Sequence, residues 1–131
     1  FSADRNGQIT GVRFYKGSGN TGAHVAHPWT ASGALLATAT FTGETASGWQ
    51  QVTFSSPVAI TAGTSYIVSY HSASGYAEDD GYFTTAVNNA PLHAPTSASS
   101  GGNGVYAYGS GAVFPNQTYN QANYWVDVTF K

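Results

Sequence analysis

The sequence predicts an all-β fold, an antiparallel β-sandwich of the jelly-roll kind with long loops in its second half. Three observations lead there. Apolar residues alternate with polar ones over short runs, as around Val12 and Phe14 in "ITGVRFYKG". Turn signals such as "GSGN" and "SG" separate these runs at regular spacing. No stretch offers a sustained 3.6-residue apolar period free of glycine, proline and β-branched residues. Short strands punctuated in this way belong to sandwiches and barrels. With 131 residues, no domain boundary and no internal repeat, the chain reads as one module, residues 1–131.

Each run then takes its place. Residues 9–17 form a strand with Val12 and Phe14 on one face. "AHVAHPWTA" is a second short strand, and "ALLATATF", residues 34–41, a third. "GWQQVTF" alternates imperfectly through Trp49, Val52 and Phe54, which predicts a bulge or bend near the Gln50–Gln51 pair. "PVAITAGTSYIVSYHS" gives a short strand, a turn at Ala62–Gly63 and a strong strand over residues 65–71. In "NYWVDVTF" one face carries Tyr124, Val126, Val128 and Phe130, the other Trp125, Asp127 and Thr129. Residues 72–122 are loop-rich, and a loop region this long in a compact domain is usually functional or disordered. Trp29, Trp49, Phe14, Phe41, Phe54, Tyr66 and Phe130 are expected in the core, because large rings beside aliphatic strand residues bury well.

Composition excludes several functions. Only 8% of residues are charged, with four Lys plus Arg, six Asp plus Glu and a net charge of -2. So few cations cannot make the footprint of a nucleic-acid or anionic-membrane partner, and neither is expected. No apolar run is long enough for a membrane helix. The opening "FSADRNGQITGV" has no basic stretch followed by an apolar one, so no secretion signal is read in it. Without cysteine there is neither a disulfide nor a thiolate metal site. Uncharged runs rich in Thr, Ser, Gly, Asn and Tyr favour a secreted bacterial protein.

Five pieces, "GVRFYKG", "WTASGALLATATFTGETASGWQQVTF", "PVAITAGTSYIVSYH", "NGVYAYG" and "NYWVDVTF", occur in this order with "GYF" before the last two. Together they resemble the domain of unknown function 4082 family over nearly the whole chain. The resemblance implies a β-sandwich module of secreted bacterial proteins, set beside glycan-degrading catalytic domains and similar modules. It brings no catalytic residues. Pro28 stands where a leucine is more usual, which predicts an edge strand there.

The site candidates follow from chemistry. Tyr76, Tyr82, Tyr106, Tyr108 and Tyr119 lie among Gly, Asn and Asp in loops. A ring with a polar tip suits a pyranose, whose C–H face stacks while its hydroxyls meet amides and carboxylates. Tyr76, Tyr106 and Tyr119 are assigned to stacking, with Asp80, Asn103 and Trp125 as further ligand-binding residues. Tyr82 and Tyr108 are expected to pack loops onto the sandwich ends. Arg13 and Asp127 are expected to pair across neighbouring strands, with Trp125 beside Arg13 for a cation–π contact. Glu78, Asp79 and Asp80 crowd one loop, so Asp79 and Asp80 are candidates for a structural calcium ion; otherwise no cofactor is expected. His24 and His27, three apart on a strand, point to opposite faces.

No serine has glycines two residues away on both sides, and Glu44 is isolated, so no catalytic pair or elbow is read. The expectation is a non-catalytic carbohydrate-binding module that anchors a covalently linked, secreted glycan-degrading domain to polysaccharide, a neutral glucan above all. The alternatives are a structural or adhesive spacer of a bacterial cell-surface protein, and a metal-dependent hydrolase in which His71, His93 and an aspartate converge.

Overall fold

The computed structural model describes residues 1–131. In chain order the strands are β1 (Ser2–Ala3), β2 (Gly7–Lys16), β3 (His24–Thr30), β4 (Ala39–Thr40), β5 (Gly48–Ile60) and β6 (Tyr66–Ser72). They continue as β7 (Val87–Asn89), β8 (Leu92–Ala94), β9 (Val105–Tyr106), β10 (Gln117–Thr118) and β11 (Val126–Phe130). A 3₁₀ turn at Tyr82–Thr84 and one helical turn at Ser97–Ser100 are the only helical pieces.

Two three-stranded antiparallel sheets, ordered β11-β2-β5 and β4-β3-β6, make the sandwich. Ile9, Val12 and Phe14 of β2 and Phe54 and Ile60 of β5 face Ala26 of β3 and Tyr66 of β6 across the core. Phe14 is fully buried and touches His24, Phe41 and Tyr70 at ring-centre distances of 4.7, 4.8 and 4.3 Å. Burying a ring of this kind contributes about 1.5–3 kcal/mol. Two smaller ribbons, β1-β8-β7 and β10-β9, organise the second half.

The all-β sandwich agrees with the sequence, and so do most of the core rings. Trp49 does not: it is 42% exposed, on the outward face of β5. The inward positions of this strand are Gln50, Val52 and Phe54, so the alternation is intact and Trp49 alone falls on the other face from Val52 and Phe54. Buried Gln50 keeps its amide satisfied by accepting from Thr45 N at 2.9 Å and donating to Thr45 Oγ1 and Gly48 O. The irregularity lies further on, where residues 54–57 stand opposite Thr10 alone between the pairs Ile9↔Val58 and Gly11↔Thr53. The bulge therefore falls at Phe54–Pro57, not at the Gln pair.

Two other expectations change. Residues 34–41 form little strand: β4 covers two residues, with one further bridge at Leu35. Strand β3 is central in its sheet rather than an edge. Pro28 is tolerated because its backbone faces the irregular segment, where Pro28 O accepts from Leu36 N at 2.9 Å and no donor is required of the proline. Trp29 is buried as expected, but outside the main core. It lies on the outer face of β3, where it meets Phe114 at 5.6 Å and donates from Nε1 to Ser69 Oγ at 2.9 Å.

Asp127 and Arg13 stand directly opposite in the β11–β2 ladder, as expected, yet form no ion pair. The Arg13 guanidinium lies instead 4.6 Å from the ring centre of Trp49, not on Trp125. Trp125 is turned away by its left-handed backbone (φ 53), which breaks the alternation just before β11. Burial raises the Asp127 pKa, against the pull of the Arg13 charge. Glu44 is not isolated either. His24 Nδ1 donates to its Oε1 and Oε2 at 2.8 and 3.0 Å, and Lys16 Nζ lies 3.1 Å from Oε1. The His24 Nε2 lies 2.6 Å from the Asn20 side-chain amide, which also reaches Ser72 Oγ at 2.6 Å.

Candidate functional site

Strands β6 and β11 are the edges of the two sheets on the same side of the sandwich. Residues 105–124 cross that side. A cleft of about 400 Å³ opens there, floored by Val68, Tyr70 and Val126 and walled by loop residues. The covering segment also shields strand edges that would otherwise offer unpaired backbone groups.

Tyrosines dominate the cleft. Tyr76, Tyr106, Tyr108, Tyr119 and Tyr124 all line it. Tyr76 and Tyr124 meet at 5.6 Å and 74°, Tyr106 and Tyr124 at 6.1 Å and 67°, and Tyr106 and Tyr108 at 5.7 Å and 72°. Tyr76, Tyr108 and Tyr119 remain at least half exposed, at 50, 78 and 57%. Gly104 lets the loop approach this closely, because a Cβ there would stand 2.2 Å from Ala122 O and 3.0 Å from the Tyr124 ring. Its N–H donates to that same carbonyl at 3.1 Å.

Polar groups converge on the same space. His27, Ser69 and His71 come from the outward faces of β3 and β6, and Glu78 is the one carboxylate in the lining. His71 Nε2 lies 3.1 Å from Gly109 O, pinning the loop to β6. Burial first, then the charge of His71, holds the His27 pKa below its ordinary value. Burial pushes Tyr70 up to about 12, and burial with the negative field of Glu78 pushes Tyr124 up to about 12. Tyr76 is raised by the neighbouring Tyr108 hydroxyl, by burial and by Glu78. These phenols therefore stay protonated at neutral pH.

Of the residues assigned from sequence, Tyr76, Tyr106 and Tyr119 come together in the cleft. Asp80, Asn103 and Trp125 do not line it. Asn103 secures the loop instead, donating from Nδ2 to Pro95 O and from its backbone N to Ser97 Oγ, both at 2.9 Å. Trp125 donates from Nε1 to Asp79 Oδ2 at 2.7 Å and packs on Tyr82 at 5.0 Å. Tyr82 thus plugs a loop as expected, whereas Tyr108 belongs to the cleft. The sequence pattern puts Tyr124 on one strand face with Val126, Val128 and Phe130, and gives Tyr70 only as part of a strand. Nothing in the local pattern of either reports that the second half of the chain folds over it.

Asp79 is spoken for by Trp125 and by a backbone bridge to Asn123, and no three His, Asp or Glu side chains gather as metal ligands. His93 bonds Asp4 and Asn88, far from His71 in its contacts, so the hydrolase triad does not assemble. No curated protein and no solved structure matches the chain. The model of one family, described as a domain of unknown function (DUF4082), matches residues 1–126, and the chain belongs to that family.

Proposed function

We propose that this domain is a non-catalytic carbohydrate-binding module that holds an attached, secreted glycan-degrading enzyme on polysaccharide. The observation that carries the reading is the cleft of about 400 Å³ walled by Tyr76, Tyr106, Tyr108, Tyr119 and Tyr124. Exposed apolar ring surface in a monomer needs a reason, and here it lines a concavity with hydroxyls, imidazoles and a carboxylate at hand. Pyranose C–H faces stack on such rings, and a neutral glucan suits a lining with a single acidic group. A spacer domain would have its aromatics packed inward, which is not how Tyr108 and Tyr119 stand. Gain from such a module is local concentration of the linked enzyme, with individual affinities of about 4–8 kcal/mol.

The test is retention of the isolated chain on insoluble α- and β-glucans, xylan and chitin, beside Tyr106→Ala. Selective retention by the parent and its loss in the variant support the reading; no retention on any glycan transfers it to the spacer. A chelator arm addresses calcium, which at Asp79 would have to displace the Trp125 indole.

A further inference from the structure

Four of the cleft tyrosines do not form a flat platform. Along the series Tyr76, Tyr124, Tyr106 and Tyr108 each ring stands at 67–74° to the next, with centres 5.6–6.1 Å apart. Rings at such angles form the walls of a corner, which admits a compact, nearly spherical group beside a pyranose stacked on a single ring face. Their faces carry the negative side of the aromatic quadrupole. Glu78 lies in the same lining and forms no ion pair within the protein. Its field reaches the rings, adding to the Tyr108 hydroxyl and burial at Tyr76 and to burial at Tyr124 in raising their pKa values. Three of the chain's four cations are engaged elsewhere: Arg5 on Phe130, Arg13 on Trp49 and Lys16 with Glu44. Cation–π capacity is thus filled at two other places in the molecule and left open in the cleft.

We infer that the corner formed by Tyr76, Tyr106, Tyr108, Tyr124 and Glu78 binds an organic ammonium group, a trimethylammonium or alkylammonium substituent carried by the glycan. The inference rests on the cleft being a ligand site, and it adds a charged determinant to a site otherwise suited to neutral sugar. The cavity is larger than such a group alone, which leaves room for the sugar that bears it.

The experiment titrates the 131-residue chain at pH 8, above the ordinary imidazole range, with choline chloride at constant ionic strength, followed by tyrosine fluorescence and calorimetry. The control ligand is 3,3-dimethyl-1-butanol, which replaces the cationic nitrogen by carbon at the same shape. Saturable choline binding, about tenfold tighter than that of the alcohol, is expected. Glu78→Gln should weaken choline several-fold and leave the alcohol unchanged, with an unaltered melting temperature because Glu78 is exposed. Equal binding of choline and the alcohol overturns the inference. So does absence of choline binding in a chain still retained on glucan, which leaves the polysaccharide reading standing. Absence of both choline and glycan binding overturns the two together.

Discussion

The ring of Phe14 lies 4.3 Å from that of Tyr70 and nearly parallel to it, at 17°. Phe14 is the centre of the core and Tyr70 is the floor of the cleft. The cleft is therefore built on the packed interior, and for the proposed glycan binding its floor would need no ordering when the ligand arrives.

The Tyr70 hydroxyl is buried and makes no hydrogen bond of ordinary geometry, although the nearby Asn20 side chain pulls its pKa down against burial. An unsatisfied buried hydroxyl costs about 1–3 kcal/mol of desolvation. Tyr70→Phe keeps the stack on Phe14 and removes that cost. Urea denaturation should show unchanged or higher stability, and a loss above about 1 kcal/mol would mean that the hydroxyl is bonded in the folded protein.

Cleft tyrosines and packing tyrosines should separate cleanly in binding assays. Tyr76→Ala and Tyr119→Ala each remove a ring from the lining and should weaken glycan affinity about five- to tenfold, the equivalent of about 1 kcal/mol or slightly more. Tyr82 packs on Trp125 and Phe83 outside the cleft, so Tyr82→Ala should leave affinity unchanged and lower the melting temperature instead. Affinity electrophoresis in soluble glucan checks both. Equal losses for all three variants would place the site elsewhere.

Acid sensitivity should trace to Glu44. Burial by itself raises its pKa, but hydrogen bonds from His24 and Lys16, and their charges, more than offset this and hold it below the ordinary value. The unfolded chain lacks these partners and titrates near the ordinary glutamate value, about 4.3. The folded state thus binds the proton less readily. Stability from Glu44 is complete above the unfolded value and is lost as pH falls through the lower folded one. Glu44→Gln should be less stable at neutral pH and show a shallower loss on acidification, so the two urea-midpoint curves converge at low pH. Parallel curves would sink the assignment.

Periodicity made the strands legible, because an alternating run such as that around Val12 and Phe14 admits one face for the core. It placed Arg13 opposite Asp127 correctly, since antiparallel pairing of the first and last long strands suffices for that. It misled at Trp49, where ring size was weighed above phase; Gln50 faces inward because its amide is satisfied by the adjoining turn. Tyr76, Tyr106 and Tyr119 were legible as polar-tipped rings in loops. Tyr70, Tyr124, His71 and Glu78 were not, because their place in the cleft depends on how residues 105–124 cross β6 and β11. That path is set by long-range contacts such as the Asp79–Asn123 bridge and the bond from His71 to Gly109, which no local pattern encodes.

The outward face of β2 and β5 offers a last, discriminating case. Trp49 is 42% exposed, receives Arg13 at 4.6 Å and meets Tyr15 edge-on at 5.7 Å. If this patch were the glycan platform, Trp49→Ala would abolish retention. It should not, because the Arg13 guanidinium already stacks on the indole and the patch lies on a sheet face away from the tyrosine cleft. The expected effect is on stability, about 1 kcal/mol from the lost cross-strand and cation–π contacts. A double-mutant cycle between Arg13→Ala and Trp49→Ala should give a coupling of about 0.5–1 kcal/mol. The same cycle between Arg13 and Asp127 should give a smaller coupling, since the guanidinium pulls on the opposite carboxylate across the ladder without forming an ion pair. The reverse ranking would show that the guanidinium prefers the carboxylate to the indole.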